Sequence, residues 1–454
     1  MVPVSVAQLI DSTGGVLLAG CEDTVFTSAG SDSRTTVEGM LFVPIVGETA
    51  DGHKYIDKAL EQGAAGCLCH ERPEHLLPGK FYVLVEDTRL AVKDFASWYR
   101  DQFHIPFIQV TGSVGKTTTK EMIAAVLSRH YHVLKTEGNF NNDLGVPRTL
   151  LRLMPEHQVA VVETGMDHLG EIRYLGEMIR PDIAVITNIG EAHIEYLGSR
   201  EGVLKAKCEI FENLQSDGIA VLNGDDDLLN TVQRDVEILR CGESAHCDAQ
   251  LSQVTDLGLK GIRCVLKTAK DRYELQIPAP GRHMIYAAAM AAVIAERLGL
   301  SREEIIQGVA DYVPAGSRMR LRTLGGDRLV LDDCYNASPK SVSAALQVLK
   351  NTPCQRRIAV LGDMGELGDL SVQGHRDMGL LCARLDLDTL IAIGEKSADV
   401  AAAAREGGMK DVLWFPNKEE AMEPIARVLT PGSAMLVKAS HAMNFEQIVD
   451  SLVQ

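Results

Sequence analysis

At 454 residues the chain is too long for one ordinary hydrophobic core, and about 150 residues per domain predicts roughly three domains. Hydrophobic residues make up 46% and charged residues 24%, and no apolar run could span a bilayer, so neither a disordered nor a membrane protein is favoured. The net charge of −17, without a Lys/Arg-rich run, argues against a nucleic-acid partner.

The N-terminal residues lack the basic start and the long apolar core of a signal peptide, so we expect a cytoplasmic protein without a membrane span. The ten cysteines show no zinc-binding spacing. We expect their thiols to be reduced and mostly buried.

Residues 1–100 are predicted to form a small α/β domain. Strand-like apolar runs cover 40–44, 66–69 and 81–85, and a helix-like run covers 55–62. The amphipathic run 88–100 is predicted to be a connecting helix.

Residues 101–314 are predicted to form a central domain with a parallel sheet. Short runs that are apolar throughout are typical of buried parallel strands, and they cover 106–110, 159–163, 183–188 and 219–223. Helix-like runs alternate with them at 120–127, 208–214 and 282–298. Ser301 with Glu304 is typical of a capping box that begins a further helix.

Residues 315–454 are predicted to form a Rossmann-like, doubly wound sheet. A helical stretch follows each of the strand-like runs, which cover 329–332, 358–361, 390–393, 412–415 and 435–437. The predicted fold class is therefore α/β with three domains.

A phosphate-binding loop is predicted where the first central strand meets its helix, in the sequence VTGSVGKTTT from Val110 to Thr119. Glycines let main-chain N–H groups approach an anion, and the helix N-terminus adds the positive end of its dipole. Lys116 can reach the outer phosphates, and the Thr117 hydroxyl can bind Mg²⁺. Val110 stands where the general pattern has glycine. We expect ATP contacts from Thr111, Gly112, Ser113, Val114, Gly115, Lys116, Thr117 and Thr118.

Polar side chains follow other central strands at their carboxyl ends, where open α/β sheets place ligands. Glu163 ends one apolar run, Asn188 ends the next, and His193 follows five residues later. A carboxylate and an imidazole near Thr117 suit the Mg²⁺ that ATP chemistry requires.

With these motifs in place, the chain resembles the Mur ligase family over essentially its whole length. The matching segments are 32–34, 47–48, 51–53, 111–119, 138–142, 145–147, 163–166, 188–193, 205–207, 332–337 and 361–368. Several are individually specific, and a chance match of all of them in order is very improbable.

The resemblance implies an ATP-dependent amide ligase of peptidoglycan precursor synthesis. The γ-phosphoryl group would pass to the carboxylate of UDP-N-acetylmuramoyl-tripeptide, and the amino group of D-alanyl-D-alanine would attack the acyl phosphate. The N-terminal domain would then bind the UDP substrate, the central one ATP, and the C-terminal one would complete the site. We expect a monomer that acts on small molecules.

The resemblance also implies roles for particular residues. Lys116, Glu163, His193 and Lys207 would be catalytic, with Thr117, Glu163, His193 and Lys207 holding Mg²⁺. Lys207 would be carbamylated, since the family often has a carbamylated lysine there, and Lys205 lies on another face of the helix. Further ATP contacts would come from Asn188, Arg318, Asp333 and Asn336.

Substrate contacts follow the same motifs. Guanidinium and hydroxyl donors suit pyrophosphate and uracil oxygens, so Ser33, Arg34 and the loop around 49–53 are candidates for the UDP end. The full set of expected substrate contacts is Ser33, Arg34, Gly47, Asp51, His53, Asn139, Asn141, Asn142, Lys438 and Ser440.

Two departures from the family pattern keep alternatives open. Met284 and Ala287 stand where the family usually has asparagines, one of which faces adenine, and residues 438–441 are KASH instead of KGSR. A paralogous Mur-type ligase with another amino substrate, or a nucleotide-binding regulatory homologue without ligation, remains open. Folylpolyglutamate synthases are related but have a Gly-Lys-Gly-Ser loop. The third peptide residue, diaminopimelate or lysine, is also open.

Overall fold

The computed structural model describes residues 1–47 and 50–453, and it has the predicted α/β architecture, with three larger sheets and a two-stranded one. The domain limits 1–100, 101–314 and 315–454 remain predictions, and each larger sheet lies within one of these ranges.

The N-terminal region contains a five-stranded sheet in the order β2-β7-β6-β5-β4. Its elements are β1 Val4–Ser5, α1 Val6–Thr13, β2 Val16–Ala19, β3 Val25–Phe26, β4 Ser28–Gly30, β5 Met40–Phe42, α2 Ile56–Glu61, β6 Gly66–Cys69 and β7 Phe81–Leu84. Only β2 runs antiparallel to its neighbour, and β1 pairs with β3 outside this sheet. The predicted strands β5 to β7 and helix α2 are confirmed, whereas the two- to four-residue strands β1 to β4 were missed because such short segments carry little periodicity.

Helix α3, Thr88–Arg100, connects this region to the central sheet as predicted. Asp87 caps it by accepting hydrogen bonds from the N–H groups of Arg89 and Leu90. Its buried face, with Phe95 and Tyr99, belongs to a hydrophobic core that also includes side chains from the central region. The N-terminal and central regions therefore share buried apolar surface.

The central region contains a nine-stranded sheet in the order β16-β15-β14-β13-β12-β11-β8-β10-β9. Its elements are β8 Phe107–Thr111, α4 Lys116–Leu127, β9 Val133–Lys135, α5 Gly145–Leu150, β10 Val159–Glu163, α6 Glu171–Ile179, β11 Ile183–Ile186, α7 Ile194–Leu197, α8 Arg200–Lys207, β12 Ile219–Asn223, β13 Glu237–Gly242, β14 Ala249–Asp256, β15 Ile262–Lys267, β16 Arg272–Ile277, α9 Met284–Arg297 and α10 Arg302–Ala310. Strands β8 to β14 run parallel to one another, whereas β15 runs antiparallel to both of its neighbours, β14 and β16.

Strand β8 lies between β10 and β11, so the carboxyl ends of these three strands meet at one edge. The four predicted strands and the helix over 282–298 are confirmed, and Ser301 and Glu304 form the predicted capping box. The helix predicted at 208–214 is instead a 3-10 helix, Cys208–Asn213, that continues from α8, which Ser199 caps. Strands β13 to β16 were missed, although β16 alternates exposed and buried residues with the period of a strand.

The C-terminal region contains a six-stranded sheet in the order β17-β18-β22-β19-β20-β21. Its elements are β17 Arg320–Leu324, β18 Arg328–Asp332, α11 Pro339–Asn351, β19 Arg356–Gly362, α12 Ser371–Arg384, β20 Thr389–Ile393, α13 Ala398–Glu406, β21 Val412–Phe415, α14 Lys418–Val428, β22 Ser433–Lys438 and α15 Glu446–Val453. All five predicted strands are confirmed. Only the edge strand β17 is antiparallel, and separate apolar cores lie on the two faces of the sheet, as in a doubly wound fold.

Within the described residues, no helix is long and apolar enough to cross a membrane. Eight of the ten cysteines are buried, as expected; Cys354 is half-buried and Cys21 is exposed.

Replacing Tyr99 by phenylalanine is expected to loosen the junction between α3 and the central region. The buried Tyr99 hydroxyl accepts from the Val2 N–H at 2.7 Å and donates to the Leu153 carbonyl oxygen at 2.7 Å. Leaving these buried groups unpaired should cost about 1–3 kcal/mol, or several degrees in the thermal midpoint. Tyr55→Phe, which changes an exposed phenol, is the control, and an unchanged midpoint in Tyr99→Phe would contradict the assignment.

Candidate active site

A cavity of about 1170 Å³ lies at the carboxyl ends of the central strands and extends to the C-terminal sheet. A second cavity, lined in part by Arg100, Asp182 and Arg297, has a volume of about 570 Å³. Many of the predicted site residues line it: Ser113, Val114, Gly115, Lys116, Thr117, Thr118, Asn139, Asn141, Asn142, Glu163, Asn188, His193, Arg318, Asp333, Asn336 and Lys438. The fold thus brings together residues more than 300 positions apart.

The predicted phosphate loop connects β8 to α4, and Gly115 begins the helix with a φ of 82°. Gly112 has a φ of 149°, and a Cβ added there would lie 1.9 Å from Thr187 Oγ1. The Thr187 hydroxyl donates to the Val114 carbonyl oxygen at 2.6 Å, and the Asn188 amide donates to the same oxygen at 2.8 Å. Only glycine therefore allows β11 to pack against the loop and hold its curvature.

Other loop contacts fix its ends. The Thr111 hydroxyl donates to the Thr164 carbonyl oxygen at 3.0 Å, and the Gly190 N–H donates to Ser113 Oγ at 2.9 Å. Asn188 also accepts from the Val114 N–H at 3.1 Å, so its side chain bonds both the N–H and the carbonyl oxygen of Val114. Asn188 remains a predicted ATP contact, and in the structure its side chain also holds the loop.

Lys116 curls back over the loop, where its ammonium donates to the Gly112 carbonyl oxygen at 2.9 Å. Burial lowers the pKa of Lys116, and the nearby Glu163 carboxylate opposes that shift. A cation held over the loop at the N-terminus of α4 provides a site for an anionic group.

The Glu163 carboxylate lies at the end of β10, directly beside the loop. Its Oε2 accepts from the Thr117 hydroxyl at 2.8 Å, and its Oε1 accepts from the Asn141 amide at 2.9 Å. Only 2% of Glu163 is exposed. A hydroxyl and a carboxylate are the hard oxygen donors that Mg²⁺ prefers, so this pair fits a divalent cation next to the loop.

His193 has a different set of neighbours from the one expected. Its Nδ1 lies 2.7 Å from Glu366 Oε2 and 3.1 Å from Asp167 Oδ1, and ligand atoms of all three lie within 4.8 Å of one another. Burial lowers the pKa of His193, but the two carboxylates outweigh it and hold this pKa above its ordinary value.

Asp167 and Glu366 were missed by sequence reasoning. Asp167 follows β10 by four residues, at the same sheet edge as Glu163, and Glu366 lies in the matching segment 361–368. Both positions carried a signal, but only the fold brings Glu366 of the C-terminal region to the central one.

Lys207 ends α8 and is buried, whereas Lys205 two residues earlier is exposed. Burial lowers the pKa of Lys207 well below its usual value, and the positive charge of Lys116 lowers it further. The Lys207 amine is therefore neutral much more readily than an exposed lysine.

On the C-terminal side, Lys438 and Asp333 form a pair. The Lys438 ammonium lies 2.6 Å from Asp333 Oδ2 and donates to the Asn336 carbonyl oxygen at 2.8 Å. The Arg318 guanidinium lies over the Tyr335 ring, 3.6 Å from its centre, and the Tyr335 N–H donates to the Ser317 carbonyl oxygen at 3.2 Å. These contacts fix Arg318 and Asp333 in the cavity wall.

The wall near Met284 and Ala287 is partly apolar, as their sequence implies, but it also contains Asn223, Asp225 and Tyr286. Tyr286 donates from its hydroxyl to Asp225 Oδ2 at 3.0 Å. Sequence reasoning missed these three residues because strand-end polar residues were assigned only at the neighbouring strands.

The candidates for the UDP end lie in the N-terminal region and do not line this cavity: Ser33, Arg34, Gly47, Asp51 and His53. Arg34 is paired with Asp32 at 2.8 Å, and His53 Nδ1 lies 2.7 Å from Asp51 Oδ1. His53 Nε2 is also 2.7 Å from His70 Nδ1. Glu48 and Thr49, which belong to the expected loop, lie outside the described residues.

Four further predicted residues lie outside the cavity wall: Thr111, Gly112, Lys207 and Ser440. Thr111 and Gly112 support the loop at its start. The Ser440 N–H donates to the Asp363 carbonyl oxygen at 3.0 Å, and this bond fixes the segment after β22.

Comparison with known proteins finds the Mur ligase middle domain at residues 110–295 and the Mur ligase, glutamate ligase domain at residues 317–441. A UDP-N-acetylmuramoyl-tripeptide–D-alanyl-D-alanine ligase of Bacillus subtilis is 35% identical over 95% of this chain and 94% of its own length. The crystal structure I of MurF from Acinetobacter baumannii matches with a TM-score of 0.91 and 33% identity over 99% of both chains. MurF ligase from Thermotoga maritima in complex with ADP matches with a TM-score of 0.82 and 27% identity over 94% of this chain and 97% of that one.

Gly112→Ala is expected to weaken ATP binding by about tenfold or more, because its Cβ would displace Thr187 and with it a hydrogen bond that shapes the loop. Gly115→Ala is the matched variant, since its Cβ meets no atom within 4 Å and incurs only the left-handed strain. Titration calorimetry with ATP would measure both. Wild-type affinity in Gly112→Ala would contradict the steric argument.

Proposed function

The chain belongs to the Mur ligase family, and we propose that it joins D-alanyl-D-alanine to UDP-N-acetylmuramoyl-tripeptide at the expense of ATP, in peptidoglycan precursor synthesis. The observation that carries this proposal is the single cavity in which the phosphate loop, Glu163 and His193 meet Arg318, Asp333 and Lys438 of the C-terminal region. Full-length similarity to ligases of this kind supports the same assignment.

The proposed reaction has two steps. A carboxylate oxygen of the tripeptide attacks the γ-phosphorus of ATP, and the bond to the departing ADP oxygen breaks to give an acyl phosphate. The amino group of D-alanyl-D-alanine then attacks the acyl carbon, inorganic phosphate leaves, a proton is released and the amide forms. The first step brings two anions together and the second releases one, so fixed positive groups lower both barriers.

In this proposal the phosphate loop binds and orients the triphosphate. The N-terminus of α4 would face the anion, and Lys116, which the Gly112 carbonyl oxygen holds over the loop, would neutralise charge on the outer phosphates. Arg318, held over Tyr335, and Asp333 with Asn336 are the candidates for contacts to the rest of the nucleotide.

Thr117 and Glu163, with His193 and carbamylated Lys207, would hold Mg²⁺ in this proposal. When bound, this cation neutralises charge that develops on phosphoryl oxygens. Glu163 keeps its oxygens in place through Thr117 and Asn141, and the carboxylates of Asp167 and Glu366 orient the His193 ring.

Carbamylation of Lys207 is part of the proposal. A neutral amine adds to CO₂ and loses a proton, which gives an anionic carbamate. Burial, which lowers the pKa of Lys207, favours the neutral amine that this reaction needs. The exposed Lys205 has no such environment.

The UDP end is assigned to Ser33, Arg34, Gly47, Asp51 and His53 of the N-terminal region, and the sugar and peptide to Asn139, Asn141 and Asn142. The three asparagines line the same cavity as the phosphate loop and as Arg89 and Leu90 of α3. A cytoplasmic, monomeric enzyme is the form we propose, because ATP and UDP-linked substrates are intracellular metabolites.

Two alternatives differ at specific residues. The sequence KASH at residues 438–441 is compatible with a paralogue that adds another amino component, and a screen of amino substrates with UDP-N-acetylmuramoyl-tripeptide would reveal it. A regulatory homologue without ligation is disfavoured, because it would have no need for Lys116, Thr117, Glu163, His193 and Lys207 together. Diaminopimelate and lysine tripeptides belong in the same screen.

The proposal predicts ADP formation that requires UDP-N-acetylmuramoyl-tripeptide and is strongly stimulated by D-alanyl-D-alanine. Lys116→Ala should lower turnover by at least about 100-fold, since it removes the cation from the phosphates. Lys410→Ala, at an exposed position, is the control. A coupled ADP assay measures both, and normal turnover in Lys116→Ala, or wild-type turnover that ignores both substrates, would reject the proposal.

Carbamylation predicts that activity falls in CO₂-depleted buffer and returns with bicarbonate. Lys207→Ala should lose at least about 100-fold in turnover, as expected for loss of a metal-orienting group, whereas Lys205→Ala should retain it. Labelling with ¹³C-bicarbonate should give one carbamate signal in carbon NMR, absent from Lys207→Ala. Full activity without CO₂, and no such signal, would show that the amine acts unmodified.

A further inference from the structure

Lys120 is a fully buried lysine for which the proposed reaction has no direct use. It lies one helical turn after Lys116 in α4, with 0% of its surface exposed, and it does not line the cavity. Burying an ammonium group is costly unless it is paired and hydrogen-bonded. The position of Lys120 therefore requires an explanation in its contacts.

The Lys120 ammonium has three oxygen neighbours. It donates to the Thr136 carbonyl oxygen at 2.6 Å, lies 2.9 Å from Glu121 Oε1, and lies 3.8 Å from Glu163 Oε2. Glu163 is the carboxylate that also accepts from the Thr117 hydroxyl. Lys120 thus stands behind the side chain that faces the phosphate loop.

Thr136 connects Lys120 to the main chain of Glu163. Its carbonyl oxygen accepts from Lys120, and its hydroxyl oxygen accepts from the Glu163 N–H at 3.0 Å. The Thr136 N–H donates to the Val161 carbonyl oxygen at 3.1 Å, which ties this residue to β10. Lys120 therefore acts on Glu163 twice, through charge on the carboxylate and through Thr136 on the backbone.

Glu121 does not compete with Glu163 for Lys120, because a second cation also pairs with Glu121. Lys135 pairs with Glu121 from the partly exposed side. Burial raises the pKa of Glu121, but the contacts with Lys135 and Lys120 outweigh burial and lower it. Charges alternate along Lys135, Glu121, Lys120 and Glu163 from the surface to the loop, so each buried charge has an opposite neighbour.

We infer that Lys120 is a positioning residue: it holds the Glu163 carboxylate so that Oε2 meets the Thr117 hydroxyl, at the place where the cation of a Mg²⁺–nucleotide would bind. This inference rests on the proposed function for the role of Glu163 and Thr117. Lys116 cannot replace Lys120, because the Lys116 ammonium lies over the phosphate loop, where it donates to the Gly112 carbonyl oxygen.

The test separates metal-dependent from metal-independent nucleotide binding. Lys120→Met keeps the length of the side chain and removes its charge, and calorimetry would measure ADP affinity in Mg²⁺ and, separately, in EDTA. We expect affinity in Mg²⁺ to fall by about tenfold or more and the half-saturating Mg²⁺ concentration to rise similarly, with EDTA affinity within about twofold of wild type. Equal losses in both buffers, or no loss in Mg²⁺, would overturn the inference.

Lys80→Met is the matched control, since Lys80 also donates to a main-chain carbonyl oxygen, that of Ala64 at 2.7 Å, but lies in the N-terminal region. It should leave the two affinities unchanged. If Lys120→Met does not fold, two other variants serve as the test. Lys120→Gln retains a hydrogen-bond donor without the charge, and Thr136→Val removes the hydroxyl that accepts from the Glu163 N–H. A loss confined to Mg²⁺ in either variant supports the inference, and equal losses or none overturn it.

Failure of this inference and failure of the proposed function are distinguishable. ADP binding needs neither the tripeptide nor D-alanyl-D-alanine. A wild-type protein that binds ADP with Mg²⁺ but forms no amide would reject the proposed function and leave the role of Lys120 intact.

Discussion

The buried Glu163 carboxylate is the constraint on which the candidate site depends. It lies at the end of β10 and is held by Thr117 of the phosphate loop, Asn141 of the loop before α5, and Lys120 of α4. A charged group with 2% exposure is stable only when its surroundings supply donors and an opposite charge. Meeting that requirement brings β10, α4 and the loop before α5 into one geometry, and this geometry is the one that the proposed Mg²⁺–nucleotide site requires.

The rest of the cavity depends on regions that the chain builds separately. Arg318, Asp333 and Lys438 come from the C-terminal sheet, whereas His193 of the central region touches Glu366 from the same C-terminal part. The contact between His193 and Glu366 is polar and joins two regions that have their own apolar cores, so it adds little to the stability of either region. Such contacts suit a cleft that must admit three substrates and then exclude water from an acyl phosphate.

The two departures from the family pattern lie at opposite ends of the proposed chemistry. At the nucleotide end, Met284 and Ala287 give an apolar wall, while Asn223 and Tyr286 with Asp225 provide polar groups from neighbouring segments. At the amino-substrate end, the segment after β22 is fixed by its bond to Asp363, and Lys438 is engaged with Asp333. This chain therefore departs from the family pattern where it would contact adenine and the amino substrate, and it follows that pattern in the phosphate loop.

The sequence by itself determined the α/β class, most core strands and the loop that ends in Lys116 and Thr117, because these features depend on local periodicity and on residues next to one another. It did not determine the short strand β9 or strands β13 to β16, which are not the fully apolar runs that identified the other central strands, or the partners of His193, because Asp167 and Glu366 are almost 200 residues apart. Tertiary structure also decided which lysine is buried: Lys205 and Lys207 differ little in sequence, yet packing around α8 excludes water from only one of them. Strand order, domain contact and desolvation are properties of the assembled chain, and no local pattern encodes them.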